Sequence, residues 1–389
     1  AGADAAVSAT MIEAAAGTNP PLELRLERGP QLVRGVVRDD AGAPFPGVLA
    51  MVVTAEELVF PVRTDAEGRF TVAAPAGPLA MVAFEGPDGQ SVMQPLADPT
   101  AALDAVLPRS TGASPAALAW IDKHHVPLRT AEPGSGTDDL AGLDATLAGA
   151  TVVGLGEATH GTREFFQLKH RLLEHLVERH GFTVFGLEAS RAECRAIDRY
   201  VQTGEGDPRA ALAGIHFWTW NTEEVLALVE WMRRYNASHE RKLRFVGFDV
   251  QTSEVAAAGV LAFLEQVDPA APERQAVATF ARPWNAEAFA ELDEAARAET
   301  TAALERLATR LERERKAFTA ATSPDAFADA HEDVVQLRQY VRLLGASGDA
   351  TFTARDSAMA DNVLHLAERY GKGTKAVLWA HNGHISREW

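Results

Sequence analysis

The chain carries a single cysteine, Cys194, in 389 residues. An intrachain disulfide framework and Cys-rich metal sites are therefore excluded, and the lone thiol reads as a buried structural residue. No apolar run is long enough to cross a bilayer. Basic residues are few: 37 Lys and Arg stand against 54 Asp and Glu, for a formal net charge of −17. That balance disfavours DNA, RNA or an anionic membrane as the main partner. There is no initiator Met; the start Ala-Gly-Ala-Asp fits a mature protein after signal removal. The expectation is an extracytoplasmic protein, periplasmic or secreted, with a cytoplasmic location as the alternative.

Several common catalytic signatures are also missing. No Gly-x-Ser-x-Gly elbow occurs. His331-Glu332 lacks the second zincin histidine, because position 335 is Val. Gly154 and Gly156 begin a dinucleotide fingerprint, but Thr159 stands at the third glycine. Gly156 and Gly161 have P-loop spacing, but Thr162 stands where Lys is required.

What is present is a globular composition, 47% hydrophobic and 23% charged, in a chain long enough for two or three domains. Residues 1–21 are small, polar and Ala-rich, and read as a disordered segment. Residues 22–108 alternate short apolar runs with turn chemistry, as in Asp65-Ala66-Glu67-Gly68, which predicts an all-β sandwich. Residues 109–114 read as a linker, with Ser114 capping a helix that starts at Pro115. From 115 to 389 strand-like runs alternate with helical patterns, predicting an α/β domain with a mostly parallel sheet. The runs are Ala150–Leu155, Thr183–Leu187, Leu243–Phe248 and Lys375–Ala380. A long helical insertion is expected over about 286–344. No internal repeat stands out.

Each run is followed at once by ionisable residues: Glu157 and His160, then Glu188, then Asp249, then His381 and His384. Parallel strands would bring all four groups to one sheet edge, where ligands bind in open α/β folds. His160 would sit near a helix N-terminus, which favours a neutral imidazole base. Either Glu157 or Glu188 could orient it, and His381 and His384 could stabilise an oxyanion or protonate a leaving alkoxide. Asp249 reads equally as a cap for the next helix. Trp218 and Trp220 read as core or cleft wall. The helix after the first loop is expected to place Phe165, Leu168, Leu172 and Leu176 on one face, with Phe166, Leu173 and Val177 beside them. His170, His175 and His180 share no helical face and read as solvated.

The stretch Gly156-Glu157-Ala158-Thr159-His160-Gly161-Thr162-Arg163-Glu164-Phe165-Phe166 resembles the erythromycin esterase family. So do Leu187-Glu188-Ala189, Phe217-Trp218-Thr219-Trp220-Asn221-Thr222-Glu223-Glu224, Arg355-Asp356-Ser357-Ala358-Met359-Ala360-Asp361-Asn362 and Ala380-His381-Asn382-Gly383-His384. The resemblance spans about 113–389. It implies a bacterial hydrolase that opens a macrolide lactone or related ester with water, an activity tied to antibiotic resistance. No covalent intermediate, metal or other cofactor is implied. His160 would be the general base, Glu157 and Glu188 its carboxylate partners, and His381 with His384 would complete the site. Lys169 stands where the family often has Arg, keeping the charge but losing bidentate geometry. Arg355, Asp249, Trp218 and Trp220 would support the substrate. Family members continue beyond the His-Asn-x-His motif, so a segment covering the cleft is expected after Trp389. Residues 22–108 resemble the carboxypeptidase regulatory-like, transthyretin-type module, through Gly35-Val36-Val37-Arg38-Asp39 and Thr64-Asp65-Ala66-Glu67-Gly68-Arg69-Phe70.

Two other readings compete. One is a metal hydrolase of the ChaN- and Tiki-like group with Glu157, His160, Glu188 and His381 as ligands to Zn, Mn or Fe. The other is a non-catalytic binding protein using the same cleft. The partner expected in the first place is a small-molecule ester or lactone.

Overall fold

The computed structural model describes residues 6–7, 26–27, 31–54, 59–74, 78–87, 89–96, 98, 100–109, 112–282 and 285–385. Nearly all of the segment 1–21, expected to be disordered, lies outside them. The chain divides into two compact units, Ala1–His125 and Val126–Trp389.

The first unit is an all-β region followed by one helix. A two-residue antiparallel pair, β1 (Ala6–Val7) with β2 (Leu26–Glu27), stands apart. The rest are β3 (Gln31–Arg38), β4 (Leu49–Thr54), β5 (Val59–Arg63), β6 (Arg69–Ala74), β7 (Leu79–Glu85), β8 (Ser91–Pro95) and β9 (Leu103–Val106). They form sheets of order β6-β3-β9 and β5-β4-β7-β8. Alternation along β4 and β6 turns every second residue inward. Both sheets feed one apolar core that includes Val33, Val52, Phe70 and Phe84. Pro61 and Pro95 sit on edge strands, where a missing N–H breaks no ladder. The turn before β6 forms as its residues dictate. Asp65 Oδ1 accepts from the N–H groups of Glu67 and Arg69, and Gly68 takes φ +72. Ser114 accepts from the Ala117 N–H at 3.1 Å and so caps α1 (Pro115–His124).

The second unit is α/β. In chain order it holds α2 (Asp144–Leu147), β10 (Val152–Glu157), α3 (Arg163–His180), β11 (Val184–Ser190), α4 (Arg191–Thr203), α5 (Pro208–Ala213), α6 (Glu223–Ser238) and β12 (Arg244–Asp249). A helical run follows: α7 (Glu254–Val267), α8 (Arg274–Ala278), α9 (Asn285–Ala290), α10 (Glu294–Ala321), α11 (Pro324–Leu344) and α12 (Asp349–Tyr370). The chain then returns through β13 (Ala376–His381) to α13 (Asn382–Ile385). The helical insertion is therefore longer than expected at both ends.

The four strands are all parallel, in the order β10-β13-β11-β12. One face packs Phe185, Leu187, Val377 and Trp379 against α3, α4 and α6. The other packs Val184, Val246 and Leu378 against Met359 and Leu366 of α12. With helices on both sides, β11 is buried at every position, as parallel sheets require. The last strand slots between the first two, so the chain reverses its direction of travel across the sheet there. That reversal is the switch point at which open α/β sheets bind ligands.

Candidate active site

The strands end one to three residues later than their apolar runs suggest, so Glu157, Asp249 and His381 are the final residues of β10, β12 and β13, and Glu188 lies two residues before the end of β11. Glu157 is in register with His381 across β10 and β13. Glu188 and Asp249 lie at the same edge of β11 and β12.

Glu157 is buried, and its two oxygens have different partners. Oε1 lies 2.5 Å from Nδ1 of His160, and Oε2 accepts the Trp379 indole N–H at 2.9 Å. A carboxylate at Nδ1 fixes the His160 proton there and leaves the Nε2 lone pair free. The turn that carries His160 needs Gly161 at φ +81. Beside it, a Cβ on Gly156 would collide with the side chains of Asn382 and Ile385 in α13. Thr162 is the α3 N-cap residue, but its hydroxyl bonds Thr159 at 2.7 Å rather than capping the helix. The His160 side chain is 29% exposed, which leaves it open to a ligand. Its ring meets the edge of Trp220 at 5.6 Å and lies 5.2 Å from the ring of His381.

Glu188, also buried, joins two further histidines to an arginine. Oε2 accepts the backbone N–H of His381 at 2.7 Å. Oε1 meets Arg355 Nη2 at 2.7 Å and His384 Nε2 at 3.3 Å. Burial opposes ionisation of Glu188, but His384, the His381 N–H and Arg355 together hold its carboxyl at about 2. Asp249 receives Arg355 in two bonds, 2.9 Å from Nε and 2.6 Å from Nη2. It also accepts from the Val250 N–H and Gln251 Nε2, so it ties the network to the start of the helical insertion. His384 completes the set, with Nδ1 2.6 Å from Asp356 and its ring stacked on Phe352. Burial lowers its basicity, while Glu188 and Asp356 raise it and carry the balance upward against the Arg355 charge. Arg355 Nη1 lies 3.0 Å from the same Nε2, a contact that suits only the neutral ring; with two carboxylates against one guanidinium, the upward direction prevails.

The His381 ring is used internally. Nδ1 accepts the Gly383 N–H at 3.2 Å, which leaves the ring proton on Nε2, 3.2 Å from the Ala158 carbonyl. Lys169 is buried on α3; burial lowers its basicity and the Glu157 charge partly restores it. Trp220 is fully buried and donates to the Glu188 carbonyl at 2.8 Å. Trp218 is 77% exposed, beside Gly161. Glu157, His160, Glu188, Asp249, Arg355, His381 and His384 are thus brought together, Lys169 lies within the field of Glu157, and the two tryptophans are split between core and surface.

The set Glu157, His160, Glu188 and His381 does not gather as metal ligands. Among the described residues, the donors that converge belong elsewhere, to Asp144, His175 and His180. The Glu188 oxygens are occupied by Arg355 and a backbone N–H, and both His381 ring nitrogens are bonded to backbone.

Of the apolar set expected on α3, Phe166, Leu173, Leu176 and Val177 are buried, while Phe165 is 37% exposed. The expectation for the histidines of α3 is corrected. His170 and His175 are buried, not solvated, and His180 is half-buried. The reason is a second covering layer. Arg171, fully buried, bonds the carbonyls of Thr130 and Gly136 and the Asp139 carboxylate, which holds residues 130–139 against the side of α3 that carries few apolar groups. Sequence reasoning also missed Trp379, whose place in an apolar strand run hid its N–H, and Asp356, whose adjacency to Arg355 was the available signal.

A sequence profile of the erythromycin esterase family matches residues 177–389, which includes Glu188, Asp249, Arg355, His381 and His384 but not the Glu157–His160 loop. The chain is similar to erythromycin esterase type II of Escherichia coli, 25% identical over 309 residues, covering 69% of this chain and 68% of that one. Among solved structures it is similar to a Bacillus cereus protein, 29% identical with a TM-score of 0.60 over 69% of this chain and 66% of that one. It is also similar to a succinoglycan biosynthesis protein, 27% identical with a TM-score of 0.58 over 67% and 64%. The chain thus spans about two thirds of the length of these relatives.

Proposed function

The chain belongs to the erythromycin esterase family, and from that premise we propose that its sheet edge hydrolyses a carboxylic ester or lactone with His160 as general base. The observation that carries this reading is the Glu157–His160 contact at 2.5 Å, with Glu157 itself pinned by Trp379. A buried carboxylate oriented in this way holds the imidazole tautomer and stabilises the imidazolium that forms on proton transfer.

In the proposed step, water attacks the ester carbonyl carbon as Nε2 of His160 takes its proton. The tetrahedral adduct then collapses, the bond from carbonyl carbon to alkoxy oxygen breaks, and the alkoxide is protonated. His160 is the proposed donor of that proton and so returns to its neutral form, while His384, held between Glu188 and Asp356, supports the charge of the site. The products are one carboxylic acid and one alcohol, or a hydroxy acid from a lactone. Arg355 positions Glu188 and Asp249, and Lys169 adds positive charge behind Glu157. Exposed Trp218 offers an apolar wall for the substrate.

The macrolide lactones in the family name are one candidate substrate; the relative described by succinoglycan biosynthesis keeps other esters in view. Residues 22–108 are proposed to form a sandwich module of the carboxypeptidase regulatory-like type, 115–389 the hydrolytic domain, and the location to be extracytoplasmic. The test is mass spectrometry of a macrolide and general ester panel incubated with the wild type and with His160→Ala. A gain of one water that needs His160 supports the proposal. Turnover that survives His160→Ala contradicts it, and turnover abolished by chelation and restored by metal favours the metal reading.

A further inference from the structure

A second cluster lies at the opposite edge of the sheet, where the strands begin. Asp144 opens α2, ahead of β10. His175 and His180 belong to the last turns of α3, ahead of β11. Oδ1 of Asp144 lies 2.9 Å from Nε2 of His175 and 2.8 Å from Nε2 of His180, and the two ring centroids are 5.4 Å apart. No other trio of His, Cys, Asp or Glu among the described residues brings its donor atoms within 4.8 Å of one another.

We propose that Asp144, His175 and His180 bind a divalent first-row transition cation, with Zn²⁺ the best match. Two imidazoles and one carboxylate, with a fourth position open to water, are a donor set that suits Zn²⁺. Bonds of roughly 2.0–2.2 Å to a tetrahedral ion separate the ligand atoms by roughly 3.3 Å. The N···O distances need to open by only about half an ångström from the present geometry.

His175 is fully buried and turns Nε2 toward Asp144, while its Nδ1 has no hydrogen-bond partner. Arg179 Nη2 donates to the second Asp144 oxygen at 3.0 Å. Its positive charge opposes the ion, but the side chain is 49% exposed and can swing away.

The location gives the site a structural purpose. The chain between Asp144 and His175 contains β10, the Glu157–His160 loop and most of α3. An ion at this point would clamp both ends of that segment without touching the proposed chemistry. Its expected effect is greater thermal stability and a more rigid loop.

The test is calorimetric titration of the metal-stripped full chain with Zn²⁺, Co²⁺ and Mg²⁺, together with the visible spectrum of the Co²⁺ form. The expected result is one Zn²⁺ site of micromolar or tighter affinity, intense tetrahedral Co²⁺ bands and no Mg²⁺ binding. Because His175 is core, the variants are His180→Ala and Asp144→Asn, each confirmed folded by circular dichroism. Each is expected to weaken Zn²⁺ by about tenfold or more, whereas His160→Ala binds as the wild type does. Absence of Zn²⁺ binding, or binding that both variants leave unchanged, overturns the proposal. Binding lost in His160→Ala also overturns it, because the ion would then sit in the proposed active site. Hydrolysis is not read in this experiment, so its outcome is independent of the esterase proposal.

Discussion

Arg355 Nη2 lies 2.7 Å from Oε1 of Glu188 across 167 positions of sequence, and the same nitrogen reaches Asp249 at 2.6 Å. One guanidinium from the helical insertion therefore bridges two buried carboxylates near the ends of neighbouring strands. The insertion is part of the site rather than decoration between strands, and the predictions start there.

Arg355→Ala leaves Asp249 buried with no counter-charge and Glu188 with His384 alone, an arrangement expected to cost about 3–5 kcal/mol. Arg355→Lys keeps the charge but cannot reproduce the bidentate fork, so it should recover only part of that loss. Urea unfolding of the two variants beside the wild type measures both numbers. Equal stability of all three would mean that the ion-pair network contributes nothing.

Glu188 gives a pH signature. Its folded carboxyl is held at about 2, below the ordinary glutamate value of 4.5. A depressed carboxylate adds stability above its unfolded pKa and loses it as pH falls through the folded value. The wild type should therefore lose stability between about pH 5 and pH 2. His384 is shifted the other way, above 6.5. Its contribution is fully present below pH 6.5 and is lost as pH rises through the higher folded value. Melting temperature against pH should show a steeper acid limb in the wild type than in Glu188→Gln, and a neutral-to-alkaline decline that His384→Gln removes.

Trp379→Phe keeps an aromatic ring at this fully buried position, with some loss of packing, and deletes the N–H that holds Glu157 Oε2. The buried oxygen is left without a donor, at an expected cost of about 1–3 kcal/mol. Since Glu157 orients His160, kcat should also fall while KM stays close to wild type. A change in KM alone would place the effect in substrate binding instead.

How much of this was legible in the chain depends on how local the cause is. The Gly156–Gly161 turn with its Glu and His, the Ser114 cap and the Asp65–Gly68 turn could all be read, because neighbouring residues determine them. Insertion of β13 between β10 and β11 could not, since four similar apolar runs carry no record of their order. The burial of α3 on a second side was equally hidden. It comes from polar contacts of Arg171 to backbone carbonyls, which leave no hydrophobic period. Trp379 was hidden for the opposite reason: an apolar alternation conceals a side chain that both fills the core and donates a hydrogen bond.

Glu157→Gln removes the charge that stabilises the His160 imidazolium while preserving shape. The expected result is a loss of about 10²–10⁴ in kcat/KM in a protein of native circular dichroism. A loss below tenfold would assign His160 another partner.

The central claim is direct attack by a water that His160 activates, and one turnover in H₂¹⁸O tests it. With enzyme in excess over an ester that it turns over, the product carboxylate should carry one ¹⁸O, and Glu157 and Glu188 should carry none. Product acid holding only ¹⁶O after that single turnover, with label appearing in either glutamate, would show a covalent acyl intermediate and contradict the account.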